Sequence, residues 1–216
     1  MEKLEDTFKF LEEHRLIASI RTSDPDDVIE IAKAVMAGGI KIIEIASTIP
    51  QAPRIIETLA KRNDSVIGAG YVTDGEFAQR AINAGAKFIS SLYTDKDVIM
   101  VCKNNNVIVS QGVSTPTEAV QAAHFGADLM CLYPIDQLGG ASFLRRLRRS
   151  CLVQRLSVFG GVTCENLVDY LQGGAMVATL GNALAEKSLI RAHQWQEITE
   201  KAKKFQQKLE SLKVNR

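Results

Sequence analysis

Eight short apolar runs recur along this chain, each separated from the next by a longer amphipathic segment. They are Leu16–Ile20, Lys41–Ala46, Ser65–Gly68, Lys87–Ser91, Val107–Ser110, Leu129–Tyr133, Leu156–Phe159 and Met176–Leu180. The runs are rich in Val and Ile and lack clean alternation, as parallel strands buried on both faces do. Between them the helical candidates are Pro25–Ala37, Gln51–Arg62, Asp74–Ala84, Asp95–Asn104, Thr115–Phe125, Ser142–Arg149 and Cys164–Leu171. Asp24-Pro25 places a cap before a first-turn proline, and Ser114-Thr115-Pro116-Thr117-Glu118 has the form of a capping box. Glycine closes four helices and opens the following strand, at Gly38-Gly39, Gly85, Gly126 and Gly173-Gly174. These turns recur about every two strand–helix units, which reads as a barrel of similar quarters.

Strict alternation with short links predicts a parallel sheet, and eight units predict its closure. The expected fold is α/β, a (β/α)8 TIM barrel forming one domain over residues 1–216. Two helices lie outside the eight units. Leu4–His14 precedes the first strand and is placed to cap the barrel bottom. A long final helix, Arg191–Leu212, carries Trp195, Ile198, Ala202, Phe205 and Leu209 at spacings of three and four, which gives it one buried face.

Composition narrows the function classes. Aromatic residues are only 6% of the chain against 46% hydrophobic, so the core must be Ile, Val, Leu and Ala. The net charge is +1, which implies no strong field for nucleic acid or a membrane surface. The four cysteines, Cys102, Cys131, Cys151 and Cys164, have no metal-ligand spacing and read as free thiols in a reducing compartment. The segment MEKLEDTFKF has no apolar signal region, and no apolar run is long enough to span a bilayer. The expectations are a cytoplasmic protein with no cofactor and no metal.

Function in such a barrel lies at the strand C-termini. Glu44 interrupts the apolar run Ile42-Ile43-Glu44-Ile45-Ala46, where a carboxylate is costly unless paired or hydrogen-bonded. It reads either as a general acid/base of raised pKa or as a structural group, salt-bridged or facing outward. At Phe159-Gly160-Gly161-Val162-Thr163 a strand gives way to a helix, and Leu180-Gly181-Asn182 follows the last strand. Loops after strands seven and eight commonly hold phosphate, so Gly160, Gly161, Gly181 and Asn182 are candidates for anion binding, although such turns are also common without it. Arg145-Arg146-Leu147-Arg148-Arg149 reads as a solvated helix face or as a surface for an acidic partner.

Several segments together resemble one family. Gly38-Gly39-Ile40-Lys41-Ile42-Ile43-Glu44 is similar to the GGI-x-x-x-E segment of the 2-keto-3-deoxy-6-phosphogluconate and 4-hydroxy-2-oxoglutarate aldolases. Ile67-Gly68-Ala69-Gly70 resembles their GAGT segment, and Ala84-Gly85-Ala86-Lys87-Phe88-Ile89 their AGA-x-F-I segment. Gly112-Val113-Ser114-Thr115-Pro116-Thr117-Glu118 resembles PGV-x-TPTE; Pro134 with Gly139-Gly140 resembles FPA…GG; Gly160-Gly161-Val162 resembles PTGGI. Spacing is kept from about Leu16 to Ala185. The resemblance implies a (β/α)8 barrel, a homotrimer and lyase ancestry.

The resemblance also implies a site. Members form a Schiff base between a strand-six lysine and a pyruvyl carbonyl, shuttle protons with a strand-two glutamate, hold substrate with an arginine, and hold phosphate after strands seven and eight. Glu44 matches that glutamate, while the lysine falls on Cys131 in Cys131-Leu132-Tyr133-Pro134. The arginine falls on Thr48 and the threonine of GAGT on Tyr71. The proline and glycine of the family's SPG turn fall on Leu92 and Tyr93, the proline and threonine of PTGG on Val158 and Phe159, and the final GGS on Leu180-Gly181-Asn182. Scaffold glycines are kept while pocket residues have changed. Tyr71, Tyr93 and Phe159 are expected to make the pocket smaller and more apolar.

Imine chemistry needs an amine, and a thiol forms only a hemithioketal. Lys41, an odd number of positions from Glu44, is expected to face away from the lumen, and Lys87 starts its strand at the far end. Cys131 reads as a reactive thiol or as a small buried filler of the lysine position. Beside an unmodified aldolase, which the cysteine at the lysine position disfavours, two functional readings follow. In one, the chain has lost Schiff-base aldol cleavage and binds a phosphorylated or keto-acid metabolite or a protein partner. In the other, it is a carbon–carbon lyase of altered chemistry acting on a 2-keto acid through Glu44, with Tyr71, Tyr133 or Cys131. Thr48, Tyr71, Tyr133, Gly160, Gly161, Gly181 and Asn182 are the expected substrate-binding positions.

Overall fold

Each of the eight apolar runs forms a strand, each pairs in parallel with the next, and the eighth returns to the first. In chain order the elements are α1 (Glu2–His14), β1 (Leu16–Ile20), α2 (Pro25–Ala37), β2 (Ile42–Ala46), α3 (Ala52–Ala60), β3 (Val66–Gly70), α4 (Gly75–Asn83), β4 (Phe88–Ser91) and α5 (Lys96–Asn104). They continue through β5 (Ile108–Val113), α6 (Pro116–His124), β6 (Leu129–Leu132), α7 (Gly140–Cys151), β7 (Leu156–Phe159), α8 (Leu167–Gly173), β8 (Ala175–Leu180), α9 (Lys187–Arg191) and α10 (Trp195–Val214). This computed structural model describes residues 2–62, 64–151 and 155–214. No described helix is long and apolar enough to cross a membrane.

Local chemistry starts the helices where the sequence signals it. The side chains of Asp24, Asp74 and Asp95 accept from backbone N–H groups of the first turns of α2, α4 and α5. At α6 the capping box is complete: the Glu118 N–H donates to Thr115 Oγ1 at 3.2 Å and the Thr115 N–H donates to Glu118 Oε2 at 2.9 Å. At the helix ends Gly39, Gly85, Gly126 and Gly174 have φ of 95°, 101°, 98° and 110°, the left-handed stop expected of them.

Two helical expectations are corrected. The helix expected from Cys164 begins at Leu167, because Asn166 folds the preceding turn on itself. The Thr163 N–H donates to Asn166 Oδ1 at 2.8 Å, and Asn166 Nδ2 donates to the Gly161 carbonyl at 2.8 Å. The long final helix expected from Arg191 is present but begins at Trp195, and a separate short helix, α9, precedes it. His193 takes φ 50°, which the α-helical hydrogen-bond ladder cannot accommodate, and α9 ends before α10 starts at Trp195. The apolar stripe of α10 remains: Ile198, Ala202, Phe205 and Leu209 are buried. It packs against α2 so closely that a Cβ on Gly38 would meet Ala202 and the Thr199 carbonyl.

The lumen is layered. At the bottom, Phe8 and Leu11 of α1 close over Ile17, Ile42, Val66, Phe88, Ile108, Leu129 and Val177, one residue from nearly every strand. Burying each such side chain contributes about 1.5–3 kcal/mol, so α1 is a plug held by hydrophobic burial. Two residues further along the strands the lumen turns polar, with Ser19, Glu44, Ser90, Ser110, Cys131, Ser157 and Thr179. A barrel core is usually dominated by bulky branched residues at this depth, so the polar layer marks where chemistry can sit.

Candidate active site at the barrel mouth

Glu44 is placed by β2, the second strand position above the Ile42 floor, and is only 3% exposed. It is neither salt-bridged nor outward-facing. Ser19 on β1, its register partner, donates to Oε1 at 2.7 Å, and Ser90 on β4 donates to Oε2 at 2.6 Å. Burial raises its pKa, and the two hydroxyl donors oppose that rise. Glycine across the strand makes room: a Cβ on Gly70 would overlap the Glu44 carboxyl group. Gly68 likewise yields to the Phe88 ring, and Gly112 to the Leu92 backbone.

Above this layer stand three aromatic rings. Phe159 ends β7 and lies 5.3 Å from Tyr133 (ring centroids, tilted) and 6.1 Å from Tyr71, edge on. Tyr71 has φ 57°, a left-handed backbone that costs a side-chain-bearing residue about 1–3 kcal/mol. The Ser47 hydroxyl steadies it by donating to the Tyr71 carbonyl at 2.5 Å, and Ser114 holds the Tyr133 carbonyl the same way at 2.7 Å. Ser19, Glu44 and Ser90 thus form one hydrogen-bonded chain, with the Tyr71 phenol beside it. Burial, reinforced by Glu44, pushes the Tyr71 phenol up to about 12.

Two cavities result. The outer one, about 320 Å³, opens at the mouth and is lined by Ser19, Arg21, Tyr71, Tyr133, Gly160, Gly161, Gly181 and Asn182, with Phe159 and Thr179 at its base. The inner one, about 20 Å³, contains Glu44, Ser90, Ser110, Cys131 and Ser157, with Phe159, Thr179 and Leu92 on its walls. Cys131 hydrogen-bonds with Ser157, and burial pushes its thiol up to about 12, so it is protonated and a poor nucleophile. Among the described residues no lysine lines either cavity. Lys41 and Lys87 are exposed, outside the lumen.

The structure thus brings Tyr71, Tyr133, Gly160, Gly161, Gly181 and Asn182 to one pocket and leaves Glu44 and Cys131 in a chamber beneath it. Thr48 stands exposed in the turn after β2 and does not line the pocket. Tyr93 also stays outside: it is 46% exposed, and its hydroxyl donates to the Thr73 carbonyl at 3.2 Å. Leu180 points into the hydrophobic layer beneath the helices, so the crowding at the mouth comes from Phe159.

Arg21 was missed by the reading of motifs. It follows β1 in the inward series Ile17, Ser19, Arg21, and its guanidinium lies 5.3 Å from the Tyr71 ring centroid. A cation one residue beyond an apolar strand, at the C-terminal end where barrel sites lie, was the available signal. Ser19 and Ser90 were also missed, since serine in a strand becomes informative only once it faces a carboxylate.

A closed parallel barrel with its pocket at the strand C-termini is the (β/α)8 class, whose enzymes keep their active sites at that face. Within that class the chain belongs to the KDPG and KHG aldolase family, whose model matches residues 8–201. It is 28% identical over 193 residues to the 2-dehydro-3-deoxy-phosphogluconate aldolase of Treponema pallidum, covering 89% of this chain and 92% of that protein. It is 31% identical over 176 residues to a probable 2-dehydro-3-deoxy-6-phosphogalactonate aldolase of Rhizobium meliloti, covering 80% and 82%. Among solved structures, a native KDPGal structure superposes with TM-score 0.81 at 26% identity, covering 91% of this chain and 94% of that one.

Proposed function

We propose that this aldolase-family barrel no longer performs Schiff-base aldol cleavage and instead binds a small phosphorylated or keto-acid metabolite at its mouth. The observation that carries the reading is the side chain at the lysine position of the family resemblance. There a protonated, buried Cys131 stands below the pocket, with no lysine lining it among the described residues. A thiol adding to a ketone gives a hemithioketal, which offers no protonated nitrogen to accept electrons as a carbon–carbon bond breaks. Binding needs less. Arg21 supplies a positive charge, and the turns at Gly160-Gly161 and Gly181-Asn182 let backbone approach an anion. The N-terminus of α8 stands farther off, because the helix starts at Leu167 and the Thr163 N–H is already taken by Asn166. The side chain of Arg21 and the glycine turns therefore carry the anion. By the same resemblance the assembly is a homotrimer, and the four free thiols suit a reducing compartment such as the cytoplasm.

Incubation with pyruvate and borohydride, followed by mass spectrometry, tests the loss of imine chemistry. The expected result is no reduced adduct, and an adduct mapped to any lysine would restore the aldolase reading.

A second reading, a lyase acting through Glu44, is favoured by the Ser19–Glu44–Ser90 chain and the raised Glu44 pKa. Such a carboxyl group suits proton exchange at the carbon beside a keto group. Under this reading the methyl protons of pyruvate exchange in heavy water faster than in buffer, and Glu44→Gln abolishes the excess. No excess exchange leaves the binding reading alone.

A further inference from the structure

The two cavities lie one above the other at the mouth and share two side chains, Phe159 and Thr179. Tyr71, Tyr133 and Arg21 line only the outer cavity; Glu44, Ser90, Ser110, Cys131 and Ser157 line only the inner one. Phe159, with Thr179, therefore lies at the boundary between the two. The ring is wedged between Tyr71 and Tyr133, and Gly181 leaves it space: a Cβ there would lie 3.4 Å from Phe159 Cε2.

Volume decides what each compartment can hold. The inner chamber, at about 20 Å³, has room for one water molecule and no more, since a water needs roughly 10–15 Å³ measured this way. The outer pocket, at about 320 Å³, suits a small metabolite. A keto group in the outer pocket therefore meets aromatic edges and the Ser19 hydroxyl, while the Glu44 carboxyl lines only the inner chamber.

We infer that Phe159 is the specificity-determining residue of this site: its ring keeps ligands in the outer pocket, where their anionic end is read, and bars a keto head from the Glu44 chamber. The ligand class accepted is a compact anion whose whole body fits above the ring. This rests on the reading that the mouth takes an anionic metabolite. The division into compartments can be tested without any ligand.

Cys131 is a reporter inside the chamber. Iodoacetamide labelling with peptide mass mapping should modify the half-buried Cys151 and Cys164 and spare Cys131. Cys102, buried outside the barrel lumen, is the control for global opening. In Phe159→Ala, Cys131 should react while Cys102 stays protected. Water entering the chamber also restores the thiolate, roughly tenfold per unit by which the thiol pKa falls. Wild-type Cys131 reacting as fast as Cys151, or a Phe159→Ala variant whose Cys131 stays as protected as Cys102, overturns the inference. If Phe159→Ala does not fold, Phe159→Leu, which keeps more of the volume, should give a smaller acceleration under the same criterion.

The ligand arm compares inorganic phosphate with pyruvate by melting shift. Removing the ring should raise the affinity for pyruvate relative to phosphate by roughly tenfold or more, the scale on which a pocket discriminates a small group. An unchanged ratio overturns the specificity role. If neither anion stabilises the wild type, it is the binding reading that fails, and the labelling result alone judges the division.

Discussion

Glu44→Gln probes the most costly group in the lumen, and its effect should depend on pH. The carboxyl group is 3% exposed, and burial raises its pKa above the ordinary carboxylate range. An unfolded chain therefore ionises Glu44 at lower pH than the folded one does. Between those two pKa values the folded state holds more protons, so folding stability falls as pH rises. The wild type keeps its full stability below the unfolded pKa and loses it progressively up to the folded pKa. One proton sets a limiting slope of about 1.4 kcal/mol per pH unit. A glutamine does not titrate and removes that slope. At acid pH the two proteins should differ only by a fixed offset of about 1 kcal/mol for the rearranged hydrogen bond, because one of Ser19 and Ser90 still donates to the amide oxygen while the other faces the new NH2 group and must accept from it or turn away. As pH rises, Glu44→Gln should gain on the wild type. At about 2–4 °C per kcal/mol for a chain of this size, the gain approaches roughly 3–6 °C in Tm per pH unit at its steepest. Thermal melts of both proteins across the acid-to-neutral range read this directly. Parallel curves, or a wild type that gains on the variant as pH rises, would refute the assignment of a desolvated carboxyl group to the lumen.

Millimolar phosphate or a sugar phosphate should raise the Tm of the wild type, because a ligand bound only by the native state stabilises it. Arg21→Ala should remove most of that shift; an unshifted wild type refutes anion binding at the mouth. Gly112→Ala should be destabilising by about 1–3 kcal/mol, since the new methyl overlaps the Leu92 carbonyl, which is backbone and cannot rotate away. Denaturant melts check it, and an unchanged midpoint would mean that β5 and the β4–α5 loop can separate at little cost. Sedimentation at micromolar concentration should give three times the 23.7 kDa chain mass; a strict monomer refutes the trimer.

Strand and helix positions were legible because they depend on neighbours in sequence. Apolar runs of four to six residues, caps such as Asp24 and Thr115, and glycines such as Gly39 and Gly174 act over one turn of chain, and the structure places them within a few residues of the expected bounds. Misreadings came where a local feature overrode periodicity. His193 in a left-handed conformation delays the start of the final helix from Arg191 to Trp195, and the Asn166 turn delays the start of α8.

From the sequence alone came the closed barrel, the buried carboxylate on its second strand and the cysteine on its sixth. Tertiary structure decided what those groups meet. Only closure of β1 onto β2 and of β3 onto β4 brings Ser19 and Ser90 to the two oxygens of Glu44. Only the convergence of β3, β6 and β7 brings the Tyr71, Tyr133 and Phe159 rings together, and only the inward-facing series on β1 brings Arg21 to the same mouth. Secondary structure follows from interactions a few residues apart. A lumen is assembled from eight separate strands, so its contacts are set by register and side-chain volume across the barrel, which no single stretch of the chain encodes.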